Sequence, residues 1–197
     1  MISFKINDEI KKFLSGDYDE LIIFCPFISY KGIKKCFEYI SSIERKKIII
    51  VTRWRTLDII SGVSDISIYP FLKDKGVEVF HNDLIHLKIF IKNKTECLFG
   101  SANITETAMG IRNISNIELI KHDTIDISFY TKFDEILTNS VRIDDEFYKR
   151  MKQIKLDNID FFNNIKSIKE NYLNNLELYN FLSPTYNREE YFKRWDI

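Results

Sequence analysis

Three histidines occur among the 197 residues, and one of them stands in a pattern with chemistry to offer. In "HLKIFIKNKTECLFGSANITETAMG", residues 86–110, His86 precedes Lys88 by two positions on an otherwise apolar stretch, and Gly100-Ser101-Ala102-Asn103 follows closely. A strand built only for packing has no use for an imidazole next to an ammonium. Alternate side chains of a strand share a face. Ile85, Leu87, Ile89 and Ile91 are therefore expected to pack under a helix, while His86, Lys88, Phe90 and Lys92 point the other way. His86 and Lys88 then lie side by side, roughly 7 Å apart along the strand. Each positive charge disfavours the other, and an anion between them removes that cost.

Gly100 permits close backbone approach, and Ser101 and Asn103 offer a hydroxyl and a carboxamide at the sheet edge. If Cys97–Phe99 pairs with Leu87–Phe90 as a hairpin, these donors surround an oxyanion near His86. A further strand carries Asn116 and Glu118 on one face, which puts Glu118 in place to accept a hydrogen bond from the far nitrogen of His86. Nucleophile, anion clamp and orienting carboxylate, with no metal ligands, are the equipment of phosphoryl transfer through a phosphohistidine. Taken singly each residue has a plainer use. A lone strand histidine is more often a satisfied neutral residue, a strand glutamate is usually solvated, and Gly-Ser-x-Asn can be a turn. The conjunction is what points to chemistry.

The elements that must position these residues can be read from the rest of the chain. Hydrophobic residues make up 45% and charged residues 29%, a balance with enough apolar mass for a full core. The 29 acidic and 29 basic side chains cancel, so binding to a polyanion must rest on a local basic patch. Cys25, Cys36 and Cys97 show no CxxC or zinc spacing. The odd count, with no signal-like run in "MISFKINDEIKKF", reads as reduced thiols in a cytoplasmic protein. No apolar run is long enough to span a membrane. "ELIIFCPF" (20–27), "KKIIIVTRW" (46–54), "VEVFHN" (77–82), "LIHLKIFIKN" (84–93), "CLFGS" (97–101) and "NIELIKH" (116–122) predict strands. "SYKGIKKCFEYISSI" (29–43) predicts an amphipathic helix, and "SDISIYPFLKDKG" (64–76) a short one capped by Ser64 and strained by Pro70. From about residue 128 the chain turns to helical patterns rich in aromatics, including Phe161, Phe162, Tyr172, Tyr179 and Phe181. The expected architecture is an α/β sandwich with a mixed sheet over residues 1–127, followed by a helical extension, 128–197, packing on it or on a partner.

His86-x-Lys88, Gly100-Ser101-x-Asn103 and Asn116-x-Glu118 together resemble the HKD motif of the phospholipase D superfamily. The resemblance covers roughly residues 20–121, and the segment from "VTRWR" to "KIFI" is similar to that of compact bacterial members, nucleases and a metal-independent restriction endonuclease among them. It implies a phospholipase D-like α/β/α sandwich. It implies His86 as the nucleophile on phosphorus, Lys88, Ser101 and Asn103 as ligands of the non-bridging oxygens, and Glu118 as the group that orients His86. Where the motif has an aspartate, five residues after the lysine, this chain has Asn93.

The superfamily reaction uses two histidines, one to attack and one to protonate the leaving oxygen. This chain has a single HxK, since His81 stands in "HND" and His122 in "KHD". A twofold homodimer places two copies of His86 across one phosphate, in coupled and opposite protonation states. Arg53 and Arg55 in "TRWR" are expected on one face at a strand end, as contacts to a phosphate backbone, with Arg112 as a further positive contact and Lys31, Lys34 and Lys35 as a solvated helix face. The resemblance implies a nuclease cutting DNA without a metal or other cofactor, in a bacterial restriction or anti-phage setting, with a helicase or specificity subunit choosing the target. A phospholipid hydrolase or transferase fits less well, because no basic amphipathic segment for a membrane surface is present. A non-catalytic nucleic-acid-binding module is the third reading, motivated by Asn93.

Overall fold

A computed structural model describes residues 2–113, 115–160, 163, 164, 167, 168 and 171. In chain order its elements are β1 (Ile2–Ser3), α1 (Ile6–Leu14), β2 (Glu20–Phe24), α2 (Tyr30–Glu38), β3 (Lys47–Thr52), α3 (Thr56–Ile60), α4 (Ile68–Lys73), β4 (Glu78–His81), β5 (Ile89–Lys92), β6 (Glu96–Gly100), β7 (Ile120–Thr124), α5 (Ile127–Thr138), β8 (Val141–Arg142) and α6 (Asp145–Asp157). The strands form one sheet in the order β1-β7-β6-β5-β2-β3-β4-β8. β2, β3 and β4 run parallel, whereas β5, β6 and β7 are linked antiparallel, so the sheet is mixed as expected.

The central strands are continuous apolar runs because both of their faces are covered. Leu21, Ile23, Ile48, Ile50, Phe90 and Leu98 pack on one face with side chains of α1, α2 and α4, while Ile22, Phe24, Ile49, Val51, Ile89 and Ile91 pack on the other with Tyr130 and Phe133 of α5. That makes three layers, helices on either side of the sheet. The chain after residue 127 is tied into this body. β8 extends the sheet against β4, Ile143 is buried in the larger core, and Phe147, Tyr148 and Met151 of α6 pack against it. Of the helix expected from Ile159 onward, the described residues 159, 160, 163, 164, 167, 168 and 171 are helical, and the aromatics at 161, 162, 172, 179 and 181 lie outside the described residues.

Several local expectations are corrected. Ser64 does not cap a helix; its hydroxyl donates to the Arg53 carbonyl at 2.7 Å, and α4 begins only at Ile68. Pro70 is then in the first turn, where a missing N–H costs nothing. The 84–93 strand starts at Ile89, and its inner face is Ile85, Ile89 and Ile91, while Leu87 turns out and is 41% exposed. α2 is shorter than the predicted 29–43 span, capped at its start by the Ser29 hydroxyl accepting from the Gly32 N–H at 3.1 Å.

Candidate active site

The sheet topology gathers the chemical residues at one end. β5 runs antiparallel to β2, so the segment entering β5 lies beside the C-terminal ends of β2 and β3. β6 leaves the sheet there and β7 enters it. His86 and Lys88 precede β5, Ser101 and Asn103 follow β6, and Glu118 precedes β7. The carboxyl end of parallel strands is where open α/β sheets build their sites.

Gly100 makes the convergence possible. A Cβ there would collide with the Leu119 carbonyl and lie 2.9 Å from the Ile120 Cα. Without one, three strand ends are laced together: the Gly100 N–H donates to the Lys88 carbonyl at 3.1 Å, the Ser101 N–H to the Leu119 carbonyl at 3.0 Å, and the Leu119 N–H to the Ser101 hydroxyl at 3.1 Å. The expected hairpin is present but further along the chain than Leu87–Phe90: Ile89, Phe90 and Ile91 stand opposite Phe99, Leu98 and Cys97.

The side chains meet as follows. The Ser101 hydroxyl donates to Glu118, whose other oxygen accepts from the Asn116 amide at 3.0 Å. Lys88 Nζ donates to the carbonyl of His86 at 2.8 Å. Burial holds the Lys88 pKa below the ordinary lysine value, with Cys25 and Glu118 acting against the shift and Arg53 with it, so these groups share one electrostatic neighbourhood. Asn103 is reached through Cys25, whose sulfur lies 3.8 Å from Asn103 Oδ1 and accepts the Ile104 N–H at 3.3 Å. Burial pushes the Cys25 thiol up to about 11, so it acts as a neutral packing and hydrogen-bonding group. Sequence reasoning had given Cys25 no place here. Its signal was a polar atom directly after the apolar run of β2.

The His86 ring is exposed, and it makes no hydrogen bond or ion pair among the described residues. Glu118 is bonded to Ser101 and Asn116 rather than to it. The ring stands between two largely apolar grooves on either side of Leu87. One is lined by Phe99, Gly100 and Phe129, the other by Leu84, Ile85 and Ile136.

The two arginines part company. Arg53 is clamped by Asp58, at 2.7 Å and 3.2 Å, and its guanidinium stacks 4.7 Å from the centre of the Phe27 ring. Arg55 turns away to Asp83, donating to its carbonyl oxygen and standing 3.5 Å from its carboxylate. His81 Nδ1 accepts the Trp54 N–H at 3.0 Å, which leaves the proton on Nε2, 3.4 Å from the same Asp83 carboxylate. Asn82 accepts the Leu84 N–H at 3.0 Å and donates to Ser140 at 3.1 Å. Arg55, His81 and Asn82 thus fasten the 82–88 loop that carries His86. His122 lies on β7, edge-on to Phe13 and 3.3 Å from Glu96.

Asn93 answers for the departure at the aspartate position. It sits in the turn after β5 at φ +47°, a conformation asparagine tolerates better than most residues. Its side-chain oxygen accepts the N–H groups of both Asp19 and Glu20, at 3.0 Å and 3.1 Å, fixing the start of β2. Among the described residues no group of three His, Cys, Asp or Glu side chains is arranged to hold a metal, and no helix is long and apolar enough to cross a membrane. Cys25, Cys36 and Cys97 are free and buried.

These strands make the same fold as a phospholipase D family member of known structure. Among solved structures, a phospholipase D family member, Nuc from Salmonella typhimurium, superposes with a TM-score of 0.54 at 14% identity, over 69% of this chain and 89% of that one. Phosphatidylserine synthase from Haemophilus influenzae Rd KW20 superposes with a TM-score of 0.56 at 12% identity; the match covers 88% of this chain and 46% of that one. No protein-family profile matches the chain, and no curated protein does.

Proposed function

We propose that the chain is a phosphodiesterase that cleaves DNA through a phosphohistidine, with two copies sharing one reaction centre. What supports this most is the meeting of His86, Lys88, Ser101, Asn103 and Glu118 at the carboxyl end of a phospholipase D-like sheet. The unbonded imidazole of His86 attacks phosphorus, and the bond to the leaving oxygen breaks as the imidazolium of the second copy's His86 gives that oxygen its proton. Water, deprotonated by the same second imidazole, then attacks and the P–N bond breaks. Lys88, Asn103 and Ser101 carry the charge of the non-bridging oxygens, and Arg53 adds positive potential. Glu118 orients an imidazole once Ser101 turns its hydroxyl to phosphate. Because these donors suffice for the developing charge, no metal is assigned. Arg55 contacts a phosphate only in competition with Asp83, and its main duty is to fix the loop. The exposed Leu84 and Leu87 beside His86 suit burial by a second copy. A restriction or anti-phage setting, with a helicase or specificity subunit, rests on the sequence resemblance.

One observation favours a second reading. The apolar grooves flanking His86 also suit acyl chains, which would make the chain a phospholipid hydrolase or transferase. Incubation with plasmid in EDTA, beside anionic lipid vesicles and with His86→Ala as control, separates the two. Cleavage of DNA by the wild type alone supports the nuclease. Turnover of lipid with DNA intact supports the second reading, and DNA binding without cleavage, equal in both proteins, a non-catalytic module. Loss of all activity in EDTA overturns the metal-free mechanism.

A further inference from the structure

Beyond the reaction centre, and resting on the nuclease reading, we infer that the cleft on the far side of Asn103 is a nucleobase subsite, so that the strand is cut where its bases are unpaired. The cleft holds about 520 Å³, a size suited to a small ligand, and its walls include Phe27, Ser29, Asp65, Asn103, Glu106 and Arg112. Asn103 belongs both to this cleft and to the proposed phosphate clamp, so an occupant of the cleft is the neighbour of the scissile phosphate.

The lining fits a base better than a second phosphate. Phe27 is half-buried, and the Arg53 guanidinium stacked on its ring does not line the cleft. Asp58 holds that guanidinium, so the ring is a fixed plate rather than a mobile one. A fixed aromatic face beside a phosphate-binding group is what single-stranded nucleic acid stacks on. Two carboxylates, Asp65 and Glu106, border the cleft together with two cations, Arg112 and Lys155, so the lining carries no net charge that would draw a second phosphate. Asp65 is occupied by the N–H groups of Tyr30 and Ser67. Glu106 takes an Arg112 N–H on each oxygen, at 3.5 Å and 3.4 Å, and lies 3.5 Å from Lys31; its oxygens keep further lone pairs that can accept from the exocyclic amine of a base. In a duplex the faces and pairing edges of each base are covered, so only an unpaired or extruded base enters.

The test uses the full chain with two single strands of equal length, one normal and one built of abasic tetrahydrofuran units with the same phosphates, plus a duplex of the normal strand. Cleavage is followed in EDTA, and binding by fluorescence anisotropy on the same strands. The wild type is expected to prefer the normal strand over the abasic one by on the order of tenfold in KM and in Kd, and over the duplex. Phe27→Leu, and independently Val63→Trp, which puts bulk into the cleft from a partly exposed position, should each bring that ratio close to one. Equal handling of normal and abasic strands by the wild type overturns the subsite, as does a ratio that survives both substitutions. If neither strand is cut, the nuclease reading fails, and the anisotropy ratio still decides the cleft.

Discussion

His86 and His81 stand at the same end of one sheet in opposite surroundings. The His86 ring is exposed and without a hydrogen bond among the described residues, while His81 is held at both nitrogens, by the Trp54 N–H and beside Asp83, and packs 5.5 Å from Phe147. The difference follows from chain direction. His81 is the last residue of β4 and is still paired in the sheet, opposite Thr52. His86 comes after the chain has left the sheet and before β5 begins, on a loop whose fixed points are Asn82, Asp83 and Ile85. One imidazole is a part of the frame. The other is an unbonded ring on a fastened loop, as the proposed attack on phosphorus requires.

The contrast is broken most sharply by exchanging the two losses. His86→Ala is expected to lower phosphodiester cleavage by on the order of 10⁴-fold or more, with melting temperature nearly unchanged because the ring touches so little. His81→Ala should do the reverse. It leaves the buried Trp54 N–H without its acceptor and costs about 1–3 kcal/mol of stability in denaturant unfolding, with a far smaller loss of turnover. Next in size is the fastening of the loop. Asp83→Ala removes the carboxylate beside Arg55 and His81 while the Asp83 carbonyl still accepts from Arg55. The kcat is therefore expected to fall only about threefold through a loosened His86 loop, at constant quaternary state in light scattering.

A pH series sharpens the comparison further. Burial holds the His81 pKa below its ordinary value, with Asp83 opposing the shift. The unfolded chain therefore takes up a proton at about pH 6.5 that the folded one still refuses. The stability tied to neutral His81 is complete above that pH, declines as pH falls towards the folded-state pKa, and levels off below it. His81→Gln should show a shallower acid slope in that window. The smallest effect belongs to the aspartate position of the motif. Asn93→Ala removes an acceptor from two backbone N–H groups and should cost about 1–2 kcal/mol, whereas Asn93→Asp keeps the acceptor and should leave cleavage within about twofold.

Much of this was legible in the chain. The β-branched runs at 20–24 and 47–52 are strands because they are buried on both faces, and the Gly-Ser-x-Asn turn falls where the hairpin register puts it. Other parts left no periodic trace. β8 has two residues, too few for any pattern, and it exists because β4 offers an open edge. α1 does carry a helical spacing, at Ile6, Ile10, Phe13 and Leu14, but it lies outside the elements expected from the sequence. Leu87 keeps strand alternation in sequence and loses it in the fold because the ladder starts at Ile89. The ion pairs that occupy Arg53 and Arg55 depend on loops returning from Asp58 and Asp83, and spacing alone does not encode them.

The central claim is that two copies of His86 act on one phosphorus. It is tested by co-refolding wild type with increasing fractions of His86→Ala and measuring cleavage at constant total protein. With two histidines required per site, mixed dimers are inactive and cleavage falls as the square of the wild-type fraction. A strictly linear fall, with light scattering reporting a monomer, contradicts the account.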